Sequence, residues 1–310
     1  MHQLNHLQMK SVWYIIFNPV SGGGKNKKTI TTIKKLLVSH QLRFDFISTE
    51  YTHHEKLLVE KAIVNGYRKF ICIGGDGTLH HMVNGIMNQN QIATEKISLA
   101  VIPIGTGNDW VKNYNISSNP AKAIQTIIKN KVIYQDIGSI VFKESQQEEF
   151  FMNAAGIGFD AFVVKNIASF SKWGSLAYIF AALSSLKVYQ PHQFILKTEK
   201  DNFNSKMFLI SIGLCKFSGS GMQLTDYKRH ENGFFDITYI SNIKILQVIR
   251  HIFKLYLGGI NKIKESQCFR EKTINTVNNH SSYIQADGEL LGKGDVSISL
   301  IPKAIQFIIS

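Results

Sequence analysis

The segment Phe70–Ile86, FICIGGDGTLHHMVNGI, runs from an apolar stretch into a glycine turn holding one acid, Asp76, and then into a stretch with two adjacent histidines, His80 and His81. FICI is short and apolar, the pattern of a buried strand. TLHHMVNGI carries its apolar residues at helical spacing. A strand that turns through glycines into a helix is the building unit of a parallel α/β sheet. Alone, the segment allows three readings: a phosphate cradle, a metal site on His80 and His81, or a plain tight turn. Neighbouring residues of a helix point about 100° apart, so the two histidines cannot readily share one ion.

The same unit recurs on both sides. SVWYIIF (11–17) reads as a buried strand followed by NPVSGGGK, and ISLAVIPI (97–104) as another followed by GTGND. Between them, KNKKTITTIKKLLVSH places Ile30, Ile33, Leu36 and Leu37 on one helical face. LRFDFIS alternates Leu42, Phe44 and Phe46 as a strand does. HHEKLLVEKAIVNG is a helix closed by Asn65-Gly66, and NPAKAIQTIIKNK is a further helix. The alternation predicts an N-terminal three-layer α/β nucleotide-binding domain over residues 1–136. Beyond Asp136 strand-like pieces dominate, from GSIVFK and EFFMNAAGIGF to SSYIQADGEL and DVSISLIP. Helical stretches interrupt them at 173–189 and 243–257. We expect a C-terminal β-rich, sandwich-like domain over 137–299, with AIQFII returning to the first domain at about 300–310. The fold class is therefore α/β with two domains.

Composition narrows the function. The 310 residues are 44% hydrophobic and 18% charged, enough to bury a sizeable core. The net charge of +13 is spread along the chain and carried mostly by lysine. Residues 1–136 hold 16 basic and 8 acidic side chains, and 137–310 hold 19 and 14. Such a surface suits polyphosphate or an anionic membrane. No helix-turn-helix, zinc-finger or RNP-like pattern is present, so nucleic acid is not an expected partner. Cys72, Cys215 and Cys268 are widely spaced with no C-x-x-C pair, which argues against a disulfide framework or a thiolate zinc site and fits a reducing compartment. Val12–Phe17 is too short for a signal-peptide core, and no apolar stretch is long enough to span a bilayer. The expected location is the cytoplasm, peripheral to the inner face of the membrane.

Strand-to-helix turns of a parallel sheet lie at the carboxyl ends of the strands, where ligands bind. Glycines let backbone approach a ligand, and the helix starts beyond them present N–H groups and positive dipole ends. Three such turns in a row predict a polyanion cradle with phosphate as the guest. SGGGK is not a Walker A sequence, because Lys25 is followed by Asn26, and the first turn has no G-x-G-x-x-G fingerprint. Asp76 and Asp109 put a carboxylate in each of two turns. Beside phosphate a carboxylate is favourable when it holds a divalent cation, and magnesium commonly uses one or two carboxylates with substrate phosphates. Lys25 adds a positive charge next to the first turn.

FNPVSGGGK, GGDGTLHHMVNGI and PIGTGND, in this order, resemble the catalytic domain of the diacylglycerol kinase family, which includes bacterial lipid kinases and shares its core with sphingosine and ceramide kinases. FMNAAGIGFDAFVV, GSGMQL, ENGFFDI and QADGELLG extend the resemblance over nearly the whole chain. GGDGT alone also occurs in NAD kinases. The resemblance implies transfer of the ATP γ-phosphoryl group to a lipid hydroxyl in a cleft between the two domains. It implies that Asn18, Ser21, Gly22, Gly23, Lys25, Gly74, Gly75, Gly77, Thr78, Gly105, Thr106 and Asn108 bind ATP. Asp76 and Asp109 would hold the catalytic Mg2+ network, Asp287 would be the base that takes the lipid hydroxyl proton, and Glu289 would support it or the metal. It allows a homodimer.

Two positions depart from the family pattern. His80-His81 stand where an Asn-Glu pair is usual. One is expected on the helix surface and the other in place of a polar supporting contact. Asn232 stands where bacterial members often carry an acid that binds a structural magnesium. The site it would form with Arg229 and Phe234 is expected to be weak, because a neutral amide is a poor ligand for a hard cation. Residues 171–190 and 243–257 are the two candidates for an interfacial helix. Two other functions stay open on the sequence: an NAD kinase-like enzyme with a soluble acceptor, and a catalytically impaired nucleotide- or lipid-binding protein.

Overall fold

A computed structural model of the chain describes residues 11–24, 26–105, 108–226, 233–278 and 282–310. The chain divides into two compact units. One runs to Gln135 and takes up Lys303–Ser310, and the other is Asp136–Pro302.

The first unit is built on parallel strands. β1 (Trp13–Phe17) pairs with β2 (Phe44–Ser48) on one side and β3 (Lys69–Gly74) on the other, and β3 pairs with β4 (Ser98–Pro103). Apart from half-buried Tyr14, the interior of β1, β3 and β4 is buried, as a sheet covered on both faces requires. The helices are α1 (Lys27–Ser39), α2 (His54–Val64), α3 (Asp76–Asn88), the short α4 (Asp109–Asn113) and α5 (Pro120–Lys129). On α1 the expected face delivers Ile33 and Leu37 to the core. Gly66, at φ 96°, lets the chain leave α2 in a left-handed conformation closed to most side chains. Asn119 caps α5 by accepting from the N–H groups of Ala121 and Lys122, with Pro120 at the first helical position.

The second unit is antiparallel among its described strands. In chain order they are β5 (Lys131–Phe142, which begins in the first unit), β6 (Glu148–Phe151), β7 (Ala154–Gly158), β8 (His192–Lys197), β9 (Asn202–Gly213), β10 (Phe235–Ser241), β11 (Ser266–Glu271), β12 (Thr273–Val277), β13 (Tyr283–Ala286), β14 (Glu289–Lys293) and β15 (Val296–Ile309). β9 organises them, pairing with β8 along its first half and with β7 and β10 along its second. One core, including Phe151, Phe194, Phe235 and Ile284, fills the space beside these strands. A second core lies under α6 (Phe159–Asn166), α7 (Ala177–Ser185) and α8 (Ile245–Tyr256). The single helix expected over 173–189 is broken. Residues 167–176 form tight turns with Gly174 at φ 54°, and the regular helix starts only at Ala177.

β15 serves both units. Its first part pairs antiparallel with β12, and Gln306 and Phe307 pair parallel with Ser98 and Leu99 of β4. Lys303, at φ 50°, marks the point along the strand where the first unit resumes. No helix of the described residues is long and apolar enough to cross a membrane.

Candidate functional site

In the first unit the three glycine turns meet. Gly22, Gly23 and Gly24 follow one another at φ 60°, 79° and 73°, a run of left-handed backbone that side chains rarely tolerate. A Cβ on Gly22 would lie 3.1 Å from the Ile104 side chain and 3.4 Å from the backbone of Gly105, so the first turn packs on the third. A Cβ on Gly75 would lie 3.3 Å from the Asn108 side-chain oxygen, so the second turn packs on the third as well. Asn108 in turn donates to the carbonyl of Gly105 at 3.1 Å.

The acids of the turns sit at helix starts. Asp76 is the first residue of α3, and its Oδ2 accepts from the backbone N–H of Asp109 at 2.7 Å, tying the second turn to the start of α4. Asp109 is buried, and its Oδ1 accepts from Lys112 Nζ at 2.8 Å. The first turn of α3, Asp76-Gly77-Thr78, directs its N–H groups out of the carboxyl end of β3. Gly74 is closed over by Thr78, whose Oγ1 would lie 2.5 Å from a Cβ there.

Behind the cradle is a contact that the sequence did not reveal. Asn18 Nδ2 donates to Thr78 Oγ1 at 3.1 Å and to Glu55 Oε1 at 3.2 Å. Glu55 is only 2% exposed, and its Oε2 has no hydrogen-bond partner among the described residues. Burial pushes its carboxyl up, against the opposing pull of its own backbone hydrogen bond, the nearby histidines and Asn18. Its one local signal is position, in the first turn of α2. Lys25 and Thr106 lie outside the described residues. Ser21 and Gly23 belong to the first turn and are exposed or half-buried.

Of the two histidines, His80 makes a polar contact of the expected kind, and His81 departs from the expected helix surface. His80 is 1% exposed and lies within hydrogen-bond distance of the Asn84 side chain, 3.3 Å from its Nε2. His81 is half-buried against His53, with ring centroids 4.2 Å apart. Neither occupies the solvated helix surface. α2 packs along α3 closely enough that a Cβ on Gly85 would lie 2.8 Å from the backbone oxygen of Lys56.

In the second unit, Asp287 and Gly288 form the two-residue turn of the β13–β14 hairpin, at φ 52° and 91°. Positive φ at both positions is the hairpin turn that Asp-Gly favours. The Asp287 carboxylate accepts from three consecutive backbone N–H groups: Met152 at 3.0 Å, Asn153 at 2.9 Å and Ala154 at 3.1 Å. Its own N–H donates to the carbonyl of Ala154 at 2.8 Å. Glu289, half-buried two residues on, accepts no hydrogen bond from a described residue.

A small apolar cavity lies in the same unit between α7, α8, β9 and β10. Its lining is mostly apolar, including Phe208, Leu224, Ile240 and Leu255, with Asp160, Tyr178 and His251 as its titratable members. Asp160 is buried, which pushes its carboxyl up, and it accepts from the Tyr178 hydroxyl and from Gln285 Nε2 at 2.7 Å. Gln285 Oε1 accepts from Gly288 N–H at 2.9 Å. A continuous hydrogen-bonded chain therefore joins the cavity wall to the Asp287-Gly288 turn. Of the expected structural metal site, Arg229 and Asn232 lie outside the described residues. Phe234 is exposed under Lys272, and the neighbouring Gly233 N–H donates to Asp136 at 2.7 Å.

Comparison with known proteins bears on this arrangement. Residues 12–140 match the family model of the diacylglycerol kinase catalytic domain, and residues 153–309 match the YegS C-terminal NAD kinase beta sandwich-like domain. The chain is 28% identical over 291 residues to a diacylglycerol kinase of Staphylococcus haemolyticus, covering 92% of this chain and 84% of that one. It is 26% identical over 298 residues to a diacylglycerol kinase of Mycobacterium tuberculosis strain H37Rv, covering 94% and 93%. In fold it is similar to the crystal structure of a diacylglycerol kinase from Bacillus anthracis str. Sterne, with a TM-score of 0.73, 19% identity and 97% of each chain covered. The glycine turns of the first unit and the β-rich second unit thus have their counterpart in a known pair of domains, and the chain belongs to the diacylglycerol kinase family.

Proposed function

We propose that the protein transfers the γ-phosphoryl group of ATP to the hydroxyl of a lipid alcohol, diacylglycerol or a similar acceptor. The observation that carries this reading is the meeting of three glycine turns at one sheet edge, with a helix start and two carboxylates beside them. The apolar cavity supports a lipid acceptor over a soluble one such as NAD. The absence of a spanning helix among the described residues and the free thiols of Cys72, Cys215 and Cys268 support action from the cytoplasm at the inner membrane face.

In the transfer, the acceptor oxygen bonds to the γ-phosphorus while the bond from that phosphorus to the bridging oxygen breaks. ADP leaves with the bridging oxygen, and the hydroxyl proton passes to a carboxylate. The glycine turns and the first turn of α3 hold the phosphates by backbone N–H groups. Asp287 is committed to three N–H groups and shapes its turn, which leaves Glu289 as the better proton acceptor. The roles expected of the two carboxylates are exchanged in this reading.

The residues present fit a magnesium ion. Asp76 and Asp109 offer hard carboxylate oxygens, and Glu55 Oε2 is a further buried oxygen without a hydrogen-bond partner among the described residues. Glu55 and Asp76 both act, after burial, to push the Cys72 thiol up, so both carboxylates lie within electrostatic reach of β3. When bound, the ion neutralises charge that builds on the phosphates. Incubating the protein with radiolabelled ATP, magnesium and a total lipid extract should yield a labelled phospholipid. Label found only in water-soluble products, or transfer to NAD in its place, would overturn the reading.

A further inference from the structure

Adjacent on one helix, His80 and His81 cannot readily share an ion, but His81 has a histidine partner from another element of the same unit. Four histidines gather in the N-terminal halves of α2 and α3. His54 is engaged, its Nδ1 accepting from the Glu50 N–H at 3.2 Å and its ring stacking on Tyr51. His80 is buried beside Asn84. The other two face each other. The rings of His53 and His81 have centroids 4.2 Å apart, and a nitrogen of one lies within 4.8 Å of a nitrogen of the other. Neither ring hydrogen-bonds to a described residue.

His53 stands just before α2, at φ 65° and without a side-chain hydrogen bond to the helix it precedes. Positive φ is uncommon for a residue with a side chain, and helix capping does not account for a histidine there. Its exposed ring is turned instead onto half-buried His81. A tetrahedral ion about 2.0–2.1 Å from each imidazole nitrogen would hold the two nitrogens about 3.4 Å apart. That leaves at most about 1.4 Å for the exposed His53 side chain to close. Imidazole suits zinc, copper and nickel, whereas magnesium takes oxygen, so the pair differs in chemistry from Asp76 and Asp109. Two charges bear on it. Glu55 is within electrostatic reach of His53 and favours a cation, and Lys56 is within reach of His81 and opposes one.

We propose that His53 and His81 form a binding site for a divalent ion of the zinc class, with water completing its coordination. The bound ion clips the start of α2 to the side of α3. His53 is two residues before Glu55, which holds Asn18 and through it Thr78, so the clip lies beside the phosphate cradle. The site goes beyond the kinase reading and does not depend on the identity of the acceptor.

The test is calorimetric titration of the full chain with zinc chloride, in buffer free of chelator, nucleotide and acceptor, so it stands apart from the kinase assay. One histidine-dependent equivalent is expected, undisturbed by excess magnesium. It should raise the thermal midpoint, because only the folded chain brings the pair together. His53→Ala and His81→Gln should each weaken that equivalent about 100-fold, the upper end of what losing even a supporting contact costs. His53 is exposed, so the midpoint of His53→Ala without zinc should match the native one. His40→Ala, at an exposed histidine closing α1, should leave the equivalent intact. Asp76→Asn should do the same, which separates the site from the magnesium acids. Lys56→Gln should tighten binding about 3- to 10-fold by removing a like charge. No zinc binding by the native chain, binding that either His53→Ala or His81→Gln leaves unchanged, or an equivalent lost with Asp76→Asn overturns the proposal.

Discussion

At the scale of single residues, the two carboxylates of the ADGE segment have different surroundings. Asp287 accepts three backbone hydrogen bonds, each charge-assisted and worth about 1.5–3 kcal/mol, whereas Glu289 accepts none from a described residue. Glu289→Gln should therefore cut kcat about 10²–10⁴-fold with an unchanged thermal midpoint. Asp287→Asn should lower the midpoint as well, because an amide nitrogen would face an N–H donor at Met152 or Asn153. Steady-state kinetics beside thermal melts on both variants separate the roles, and a Glu289→Gln enzyme of native kcat would return the base to Asp287. His81 gives a pH signature. Burial first, then His80, His53 and Lys56, pull its imidazole from 6.5 down to about 3. Between these values the unfolded chain takes up a proton that the folded one refuses, so stability falls as pH drops from about 6.5 towards about 3. His81→Asn should flatten part of that decline in denaturant melts run across the range, by less than full burial would give because the ring is half in solvent.

At the scale of elements, β7 shows how a strand is constrained by what crosses it. Gly156 pairs with Ser211 of β9 and Gln285 of β13, and a Cβ there would stand 2.0 Å from Asp160 Oδ2 and 2.7 Å from Gln285 Nε2. Gly156→Ala must push apart the link between the cavity wall and the β13–β14 hairpin. Overpacking of this kind costs about 1–3 kcal/mol, and kcat should fall more than the stability loss explains. Chemical denaturation and turnover on the same preparation check this; a native-like kcat would show the link to be dispensable. The broken stretch at 167–176 makes a related point. Its apolar and aromatic content reads as helix, but Gly174 turns the chain at φ 54° and separates Trp173 from the helix whose Phe180 it touches, with ring centroids 4.5 Å apart.

At the scale of the whole molecule, the last residues complete the first unit. Phe307 is fully buried, stacks near Trp110 at 4.6 Å between centroids, and pairs with Leu99 of β4. Gln306 adds hydrogen bonds to Ser98 and to the carbonyl of Glu95. Phe307→Ala should destabilise by about 3–5 kcal/mol. The loss should appear in the melting of the first unit, followed by fluorescence of Trp13 and Trp110, ahead of any change at Trp173. Simultaneous loss at all three would mean that the units melt as one.

The sequence by itself determined the strand–turn–helix alternation, the turn from parallel to β-rich organisation near Asp136, and the positions of the glycine turns. Each is a local property, written in hydrophobic period and in the residues that tolerate positive φ. It placed Asp76 and Asp109 among candidate site residues as acids beside glycine turns, whereas Asp287 and Glu289 became candidates only through the resemblance to a known family. What it could not carry is which groups meet across the fold. Glu55 reads as an ordinary solvated helix acid until Asn18 and Thr78 close over it. Asp160 belongs to a strand-to-helix corner until Tyr178 and Gln285 reach it from 18 and 125 residues away. One of His80 and His81 reads as helix surface until the fold buries His80 beside Asn84 and sets His81 against His53. These partners come from distant segments, and burial alone decides which polar atoms are satisfied and which pKa values move, so only the tertiary structure could decide them.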